Sequence, residues 1–298
     1  MNDRLRLTGC GTALVTPFAA SGEVDERALR AFVEWQVTSG VQFVVPCGST
    51  GEAATLSVEE HRRVVEITVE TVAGRVPVVA GAGSNDTVKA IHLSREMKAA
   101  GATALLHVTP MYSRPPQRAL AAHFRAIADA CDLPIVLYNV PGRTAVNLEA
   151  RTCLELAIDG RFVAVKEASG NISQIAEILR ERPPHFGVLS GDDGLTFDVM
   201  ARGGEGVISV VSNVVPRLVA DLCRVCAEGD LAAARAIDDS LQPVVAAAFV
   251  ESNPIPVKAM LHYMGRMANR LRSPLVPLDT KYNATVWSAL ASTRALAT

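Results

Sequence analysis

Long apolar runs are missing from this sequence, and none approaches the roughly 18–20 residues that a membrane-spanning helix needs. The opening MNDRLRLTGCGTALVTP lacks the apolar core of a signal peptide, so we expect a cytoplasmic protein with no membrane partner. Blocks of like charge are also missing and the net charge is −2, which argues against nucleic acid as a partner. The 6 cysteines are scattered, which suits free thiols in a reducing compartment better than a disulfide framework.

Motifs for phosphate and metal binding are equally scarce, since neither a P-loop nor an HExxH spacing occurs. Cys223 and Cys226 form a CxxC pair in a helical pattern, but no second ligand pair accompanies them, so we expect no metal site. His107 stands in an apolar run, which is typical of a hydrogen-bonded core histidine. Asp192 and Asp193 could bind a cation, although a loop or helix-capping role is the simpler interpretation.

Short apolar segments alternate with helical patterns along most of the 298 residues. Each segment is almost continuously apolar, as parallel strands buried on both faces are. A hydrophobic fraction of 49% allows a large packed core. The predicted strands are TALVTPF (12–18), VQFVVPCG (41–48), VPVVAGAG (76–83), ALLHVTP (104–110), PIVLYNVP (134–141), FVAVKEAS (162–169), FGVLSGD (186–192) and GVISVVSN (206–213).

The segments between these strands carry helix start signals. Ser57 and Glu60 have the spacing of a capping box before one helix, and Asp86 can cap the next. Eight strand–helix units predict an α/β fold of the (β/α)8 TIM-barrel type with extra C-terminal helices. A doubly wound open sheet is the alternative, but its dinucleotide fingerprint is missing, since GCGTAL (9–14) and GAGSND (81–86) lack the third glycine.

The catalytic barrel would occupy residues 1–230, with its eighth helix at 215–230. Residues 231–298 would form a C-terminal helical extension packed on the barrel, with helices at 231–249, at 254–265 and near 283–297. No linker or low-complexity tract marks an independent second domain.

Lys166 ends the apolar segment FVAV (162–165), which is an unusual place for a lysine. In a TIM barrel, catalytic residues collect at the carboxyl ends of the strands. Burial there disfavours a charged amine, and an uncharged lysine can attack a carbonyl and form a Schiff base. The protonated imine withdraws electrons from the adjacent carbon, so that a 2-oxo acid becomes a carbon nucleophile without a metal. The alternative is a structural lysine paired with Glu167 or a neighbouring carboxylate.

Other polar residues stand at the ends of neighbouring predicted strands. Tyr138 could relay a proton with a hydroxyl such as that of Ser49, or be a hydrogen-bonded core tyrosine. The Ser-Thr-Gly turn that contains Thr50 could hold a carboxylate with hydroxyl and backbone N–H groups, or be a plain turn. Arg143 follows Pro-Gly on a predicted loop and could grip a second carboxylate, or be a solvated arginine.

Seven motifs, in a fixed order, resemble those of one enzyme family. They are GSTGE (48–52), TPMYSRP (109–115), YNVPGRT (138–144), KEASG (166–170), SGDD (190–193), GVISV (206–210) and NPIPVK (253–258). From about Leu7 to about Leu290, the chain is similar to the dihydrodipicolinate synthase (4-hydroxy-tetrahydrodipicolinate synthase) branch of the pyruvate-dependent class I aldolases. This superfamily also includes N-acetylneuraminate lyase. YNVPGRT followed by KEASG is the most specific pair of motifs.

The resemblance implies catalytic roles. Lys166 would form the Schiff base with pyruvate, and no other cofactor would be needed. Tyr138 would pass protons to and from the imine and the incoming aldehyde. The proton relay would join it to the hydroxyl of Ser49 and to Tyr112 of the partner subunit.

The resemblance also implies substrate contacts. Thr50 would hold the pyruvate carboxylate, the backbone of Ile208 would lie near the pyruvate, and Arg143 would bind the carboxylate of L-aspartate 4-semialdehyde. The implied reaction joins the two substrates into 4-hydroxy-tetrahydrodipicolinate, on the diaminopimelate route to lysine. A tyrosine supplied in trans implies a homo-oligomer of at least two chains, and the family is commonly a homotetramer built as a dimer of dimers.

One departure concerns the turn after the second strand. Ser49 stands where the synthases typically have threonine and the sialic acid lyases have serine, and it keeps the relay hydroxyl but loses the methyl group that restricts rotamers. Arg143 favours the synthase, because the sialic acid lyases lack an arginine at this position.

A second departure concerns lysine, which inhibits some synthases by binding at the dimer interface. Of that pattern, His61 and Asn85 are present, but Lys89 replaces a glutamate, Met111 a tyrosine and Val58 a histidine. A cation facing a cationic ligand is repulsive, so the sequence predicts weak or absent feedback inhibition by lysine.

Two other functions compete with the synthase. Another aldolase or lyase of the superfamily, acting on sialic acid, a sugar acid or a hydroxy-oxo acid, would use Lys166 and Tyr138 in the same way. A barrel that binds a 2-oxo acid without turnover is disfavoured, because each catalytic position keeps a competent side chain.

Overall fold

Eight parallel strands form the centre of the molecule, which a computed structural model describes from residue 5 to residue 293. They are β1 (Gly9–Ala13), β2 (Phe43–Val45), β3 (Val79–Gly81), β4 (Ala104–Val108), β5 (Ile135–Asn139), β6 (Phe162–Glu167), β7 (Gly187–Ser190) and β8 (Gly206–Ser209). Neighbouring strands follow the order β2-β1-β8-β7-β6-β5-β4-β3. Val44 of β2 also pairs with Val78, just before β3, so the sheet closes on itself. The predicted (β/α)8 TIM barrel is confirmed.

Helices surround this barrel and connect its strands. The α-helices of the described chain are α1 (Glu26–Thr38), α2 (Val58–Val72), α3 (Thr87–Ala99), α4 (Gln117–Ala130), α5 (Pro141–Thr144), α6 (Ala150–Ala157), α7 (Ile172–Glu181), α8 (Thr196–Met200), α9 (Pro216–Glu228), α10 (Leu231–Ala248), α11 (Ile255–Tyr263) and α12 (Asn283–Ser292). The predicted capping box of α2 is present: Ser57 Oγ accepts the Glu60 N–H at 3.2 Å, and the Glu60 carboxylate accepts the Ser57 N–H at 3.0 Å. Asp86 accepts the Val88 N–H at 2.8 Å and so caps α3, as predicted.

Side chains of the strands alternate between the inside and the outside of the barrel. On β6, Ala164 packs in the inner apolar cluster with Leu189, whereas Val165 packs in the outer cluster between sheet and helices. The period of two residues continues, so that Lys166 faces inward and Glu167 outward. Burial of both faces explains why the strands read as continuous apolar segments.

Two local predictions were wrong. β1 covers Gly9–Ala13 rather than 12–18, because pairing with β8 begins at Gly9 and the chain leaves the sheet after Ala13. Arg143 lies in the one-turn helix α5 and not on a loop, because its N–H donates to Val140 O at 2.9 Å and Pro141 starts the turn.

The helices α10, α11 and α12 follow the eighth strand–helix unit, as the sequence predicts for the C-terminal extension. α10 packs against α9, and α12 packs against α10 and α11. The end of the last predicted helix, 294–297, lies outside the described residues, and the division of the chain after residue 230 stays a prediction. No helix within residues 5–293 is both long enough and apolar enough to cross a membrane. The cytoplasmic location also stays a prediction.

Candidate active site

Lys166 lies inside the barrel at the carboxyl end of β6. The strand ladder places it beside Tyr138 of β5 on one side and Leu189 of β7 on the other. Lys166 is 4% exposed, and its Nζ lies 4.2 Å from the centroid of the Tyr138 ring. The fold therefore places an amine nucleophile next to a phenol that can donate and accept protons.

Glu167, the next residue, does not pair with Lys166. Its buried carboxylate accepts hydrogen bonds from Asn139 Nδ2 at 3.0 Å, from Gln174 Nε2 at 3.1 Å and from the Ser169 N–H at 2.7 Å. The carboxylate is thus satisfied by neutral donors outside the barrel. Within residues 5–293, the amine of Lys166 takes part in no ion pair. The alternative of a structural ion pair, with Glu167 or a neighbouring carboxylate, is therefore not found in the described part of the chain.

The turn 48–52 follows β2 at the same end of the barrel. The Glu52 N–H donates to Ser49 O at 3.2 Å and closes the turn. Thr50 is 2% exposed, and its Oγ1 accepts a hydrogen bond from Asn253 Nδ2 at 2.9 Å. Ser49 is exposed, so the two hydroxyls of this turn have different surroundings.

Asn253 connects Thr50 to Arg143. Its backbone oxygen accepts a hydrogen bond from Arg143 Nη2 at 3.3 Å, while its amide donates to Thr50. The Asn253 Oδ1 is buried and has no hydrogen-bond partner among the described residues. A free acceptor between two predicted carboxylate-binding residues can receive a donor from a ligand. Sequence reasoning missed Asn253, although the NPIPVK motif that begins with it was a signal.

The two tyrosines of the expected proton relay differ strongly in exposure. Tyr138 is 6% exposed, whereas Tyr112 is 90% exposed. The backbone of Tyr112 has a φ of 75° and its N–H donates to Thr144 O at 3.3 Å, so the backbone is fixed while the ring stands in solvent. The structure brings Lys166 and Tyr138 together and leaves Tyr112 exposed on the surface of the chain.

Ile208 stands on β8 inside the barrel and is 1% exposed. The end of its strand is fixed by Asp193, which accepts hydrogen bonds from Ser209 Oγ at 2.5 Å and from the Val210 N–H at 2.9 Å. Burial raises the pKa of Asp193. Asp192 accepts the N–H of residue 194 at 3.0 Å, which is the capping role expected for this pair.

The other candidates from the sequence lie in the core. His107 of β4 is fully buried with its Nε2 3.2 Å from Ser94 Oγ, and burial lowers its pKa to about 3. Cys223 and Cys226 are buried on α9. Residues 5–293 contain no group of three or more His, Cys, Asp or Glu side chains that could hold a metal ion.

The sequence matches one family over nearly its whole length, since the model of the dihydrodipicolinate synthetase family covers residues 6–293. The chain belongs to the dihydrodipicolinate synthetase family. It is 49% identical over 284 residues to the 4-hydroxy-tetrahydrodipicolinate synthase of Pelobacter propionicus, covering 95% of this chain and 98% of that protein. The synthase of Koribacter versatilis is 48% identical over 281 residues, or 94% of either chain.

A solved structure agrees with these relatives. The chloride-inhibited dihydrodipicolinate synthase of Acinetobacter baumannii, complexed with pyruvate, superposes with a TM-score of 0.95. The two sequences are 38% identical, and the alignment covers 97% of this chain and 99% of that chain. As a member of the dihydrodipicolinate synthetase family, the chain is an enzyme of the pyruvate-dependent aldolase type, as the seven motifs indicated.

Proposed function

We propose that the chain acts as a 4-hydroxy-tetrahydrodipicolinate synthase, which condenses pyruvate with L-aspartate 4-semialdehyde. The names of its relatives support this activity over a sialic acid or sugar-acid lyase and over a binding barrel. One observation carries the chemical part of the proposal: the amine of Lys166 lies inside the barrel beside the ring of Tyr138, with no ion pair to any residue from 5 to 293.

The reaction would begin at Lys166. Its amine attacks C2 of pyruvate, and loss of water leaves an imine. The protonated imine acidifies the methyl group, so loss of one proton gives an enamine, whose carbon attacks the aldehyde of the second substrate. The amino group of that substrate then displaces Nζ from the imine carbon, which closes the ring and frees Lys166. Tyr138 would carry protons between these steps, because its ring adjoins Nζ, and no cofactor is required.

The substrate carboxylates would bind on the side of the barrel where Thr50 and Arg143 meet. Thr50 would bind the carboxylate of pyruvate, and Arg143 that of the semialdehyde, with Asn253 holding both side chains in place. Ile208 would line the pyruvate site from β8. The different donors would distinguish the two acids, since a guanidinium and a hydroxyl bind carboxylates with different geometry.

Replacement of Arg143 by Ala tests this assignment. The variant should raise the KM for the semialdehyde strongly while the KM for pyruvate changes little, because only the second carboxylate loses its fork of donors. Steady-state rates with each substrate varied in turn measure both constants. An unchanged KM for the semialdehyde would favour a lyase with another aldehyde.

The exposed Tyr112 supports a homo-oligomer as part of the proposal. Tyr112 has a fixed backbone and is 90% exposed, so it lacks the neighbours that a relay residue needs, and a partner subunit would supply them. At least a dimer is required, and a tetramer built from two such dimers is the form we expect. Sedimentation of the wild type, with activity measured on dilution, tests this: an active monomer would contradict the relay in trans.

Trapping with pyruvate and borohydride tests the Schiff base directly. One reduced pyruvyl adduct is expected on the intact chain, and peptide mapping should place it on Lys166. The other buried lysine of the described chain, Lys258, is the internal control and should stay unmodified. The variant Lys166→Met should form no adduct. Folded wild-type protein without an adduct would rule out the aldolase mechanism and favour a binding barrel.

A further inference from the structure

Glu52 and Lys258 form an ion pair that is completely buried. Both side chains are 0% exposed, and Lys258 Nζ donates to Glu52 Oε1. The same amine donates to Arg270 O at 2.8 Å, and the second oxygen of Glu52 accepts the Arg272 N–H at 3.0 Å. Lys258 belongs to α11, and residues 270 and 272 to the segment after it. The ion pair therefore fastens the turn after β2 to the C-terminal extension.

Stability alone is a weak reason for such a pair. Desolvation lowers the pKa of Lys258 to about 8, even though Glu52 opposes this shift. Buried ion pairs can often be replaced by apolar side chains with no loss of stability, because desolvation offsets their attraction. The mechanism proposed above uses neither residue. A role in the geometry of the turn is the better explanation.

Glu52, one partner of the ion pair, lies two residues after Thr50 in the same turn. Glu52 has a left-handed backbone with a φ of 54°, a conformation that is unfavourable for a residue other than glycine. Its buried carboxylate, held by Lys258, keeps the backbone in that conformation. Asn253, from the same C-terminal segment, holds the Thr50 hydroxyl at 2.9 Å. The Glu52–Lys258 ion pair and the Asn253–Thr50 hydrogen bond thus join the turn 48–52 to the C-terminal part of the chain.

We propose that Lys258 is a positioning residue for the pyruvate carboxylate, because through Glu52 it fixes the turn that presents Thr50. This rests on the carboxylate-binding role given to Thr50 in the proposed function. Loss of the pair would let the turn relax and would weaken pyruvate binding. The amine of Lys166, on β6, would keep its reactivity once pyruvate is saturating. The C-terminal extension is then part of the substrate site.

The test compares Glu52→Gln, Lys258→Met and the double variant that combines them. The double variant leaves no buried charge without a partner, so we expect it to fold even where a single variant does not. The KM for pyruvate should rise roughly tenfold or more, while kcat and the KM for the semialdehyde change less than about threefold. Borohydride trapping should slow at low pyruvate and recover at saturating pyruvate.

Glu205 provides a matched control at the opposite end of the barrel. It pairs with Arg182 at 2.5 Å, with only 14% of its side chain exposed, and accepts the Val188 N–H at 2.8 Å near the start of β7. Glu205→Gln should lower the melting temperature and leave the KM for pyruvate unchanged. If the role of Lys258 is purely structural, Lys258→Met and the double variant should likewise have a lower melting temperature and an unchanged KM for pyruvate.

Thr50→Val separates the two proposals. If this variant keeps the wild-type KM for pyruvate, the carboxylate binds elsewhere and the role proposed for Thr50 fails. If it raises the KM while the folded double variant of Glu52 and Lys258 keeps the wild-type value, the positioning role of Lys258 is overturned. If Thr50→Val and the double variant both raise the KM for pyruvate, the roles proposed for Thr50 and for Lys258 are both supported.

Discussion

Gly191, just after β7, leaves the space that the side chain of Lys166 fills. A methyl group at this position would lie 2.7 Å from Ala168 Cβ, 3.0 Å from Lys166 Cγ and 3.1 Å from Lys166 Cε. Non-bonded carbon atoms pack at about 3.6 Å, so Gly191→Ala would create overlaps of roughly 0.9 Å with Ala168 and roughly 0.5 Å with the lysine stem. Ala168 Cβ is fixed to the backbone, so relief of that overlap needs a backbone shift, and the overlap with the lysine stem displaces the lysine as well.

We expect two separable effects of this methyl group. Overpacking should lower the free energy of unfolding by about 1–3 kcal/mol. Displacement of the nucleophile by a fraction of an ångström should slow Schiff-base formation roughly tenfold to a hundredfold. The initial rate of borohydride trapping at saturating pyruvate, read by intact mass, measures the second effect, and urea unfolding measures the first.

Gly187→Ala, on the same strand, is the matched control. Its methyl group would lie 3.4 Å from Ala164 Cβ and 3.7 Å from Val163 O, which is ordinary contact. This variant should trap pyruvate at the wild-type rate. If Gly191→Ala traps as fast as Gly187→Ala, the space at Gly191 does not set the position of the amine and the reasoning is refuted.

Two further predictions concern regulation and acid stability. Because Lys89 is a cation at a position where the family resemblance implies a carboxylate for lysine binding, millimolar lysine should leave initial rates nearly unchanged. Inhibition of the pure enzyme by submillimolar lysine would contradict this. A hydrogen bond from Arg272 is the main cause that lowers the pKa of Glu60 to about 2. The ionised carboxylate therefore stabilises the fold fully above the ordinary pKa of 4.5, and this contribution is lost as the pH falls toward 2. At neutral pH, the free energy of unfolding of the wild type should exceed that of Glu60→Gln by about 2 kcal/mol. The pKa shift alone implies roughly 3 kcal/mol, and screening by solvent reduces this value. Urea unfolding should show this difference in the free energy of unfolding disappearing between pH 4.5 and 2. A difference that stays constant over this range would disprove the prediction.

The residues on strands could be predicted from the sequence. Lys166, Tyr138 and Ile208 each lie on a strand that an apolar segment predicted, because burial on both faces leaves a continuous signal. Where the chain leaves the sheet, the apolar signal ends, so the sequence predicts the start of β1 three residues late and a loop in place of α5.

Contacts between distant segments could not be predicted. Asn253 meets Thr50 across 203 residues, and Lys258 meets Glu52 across 206 residues, so no local spacing reveals either pair. The NPIPVK motif marked the segment without indicating its target. Tyr112 is a different case: its exposed ring cannot be interpreted from one chain, because the neighbours it needs would come from another.

The opposite directions of Lys166 and Glu167 also have a consequence for the register of β6 in the sheet. A slip of β6 by one residue would exchange the faces of both side chains. A carboxylate would then enter the apolar interior, and an ammonium group would meet the donor amides of Asn139 and Gln174. Both changes leave a buried charge unsatisfied, which is strongly destabilising. The two adjacent residues therefore favour the register of β6 that places the nucleophile inside the barrel.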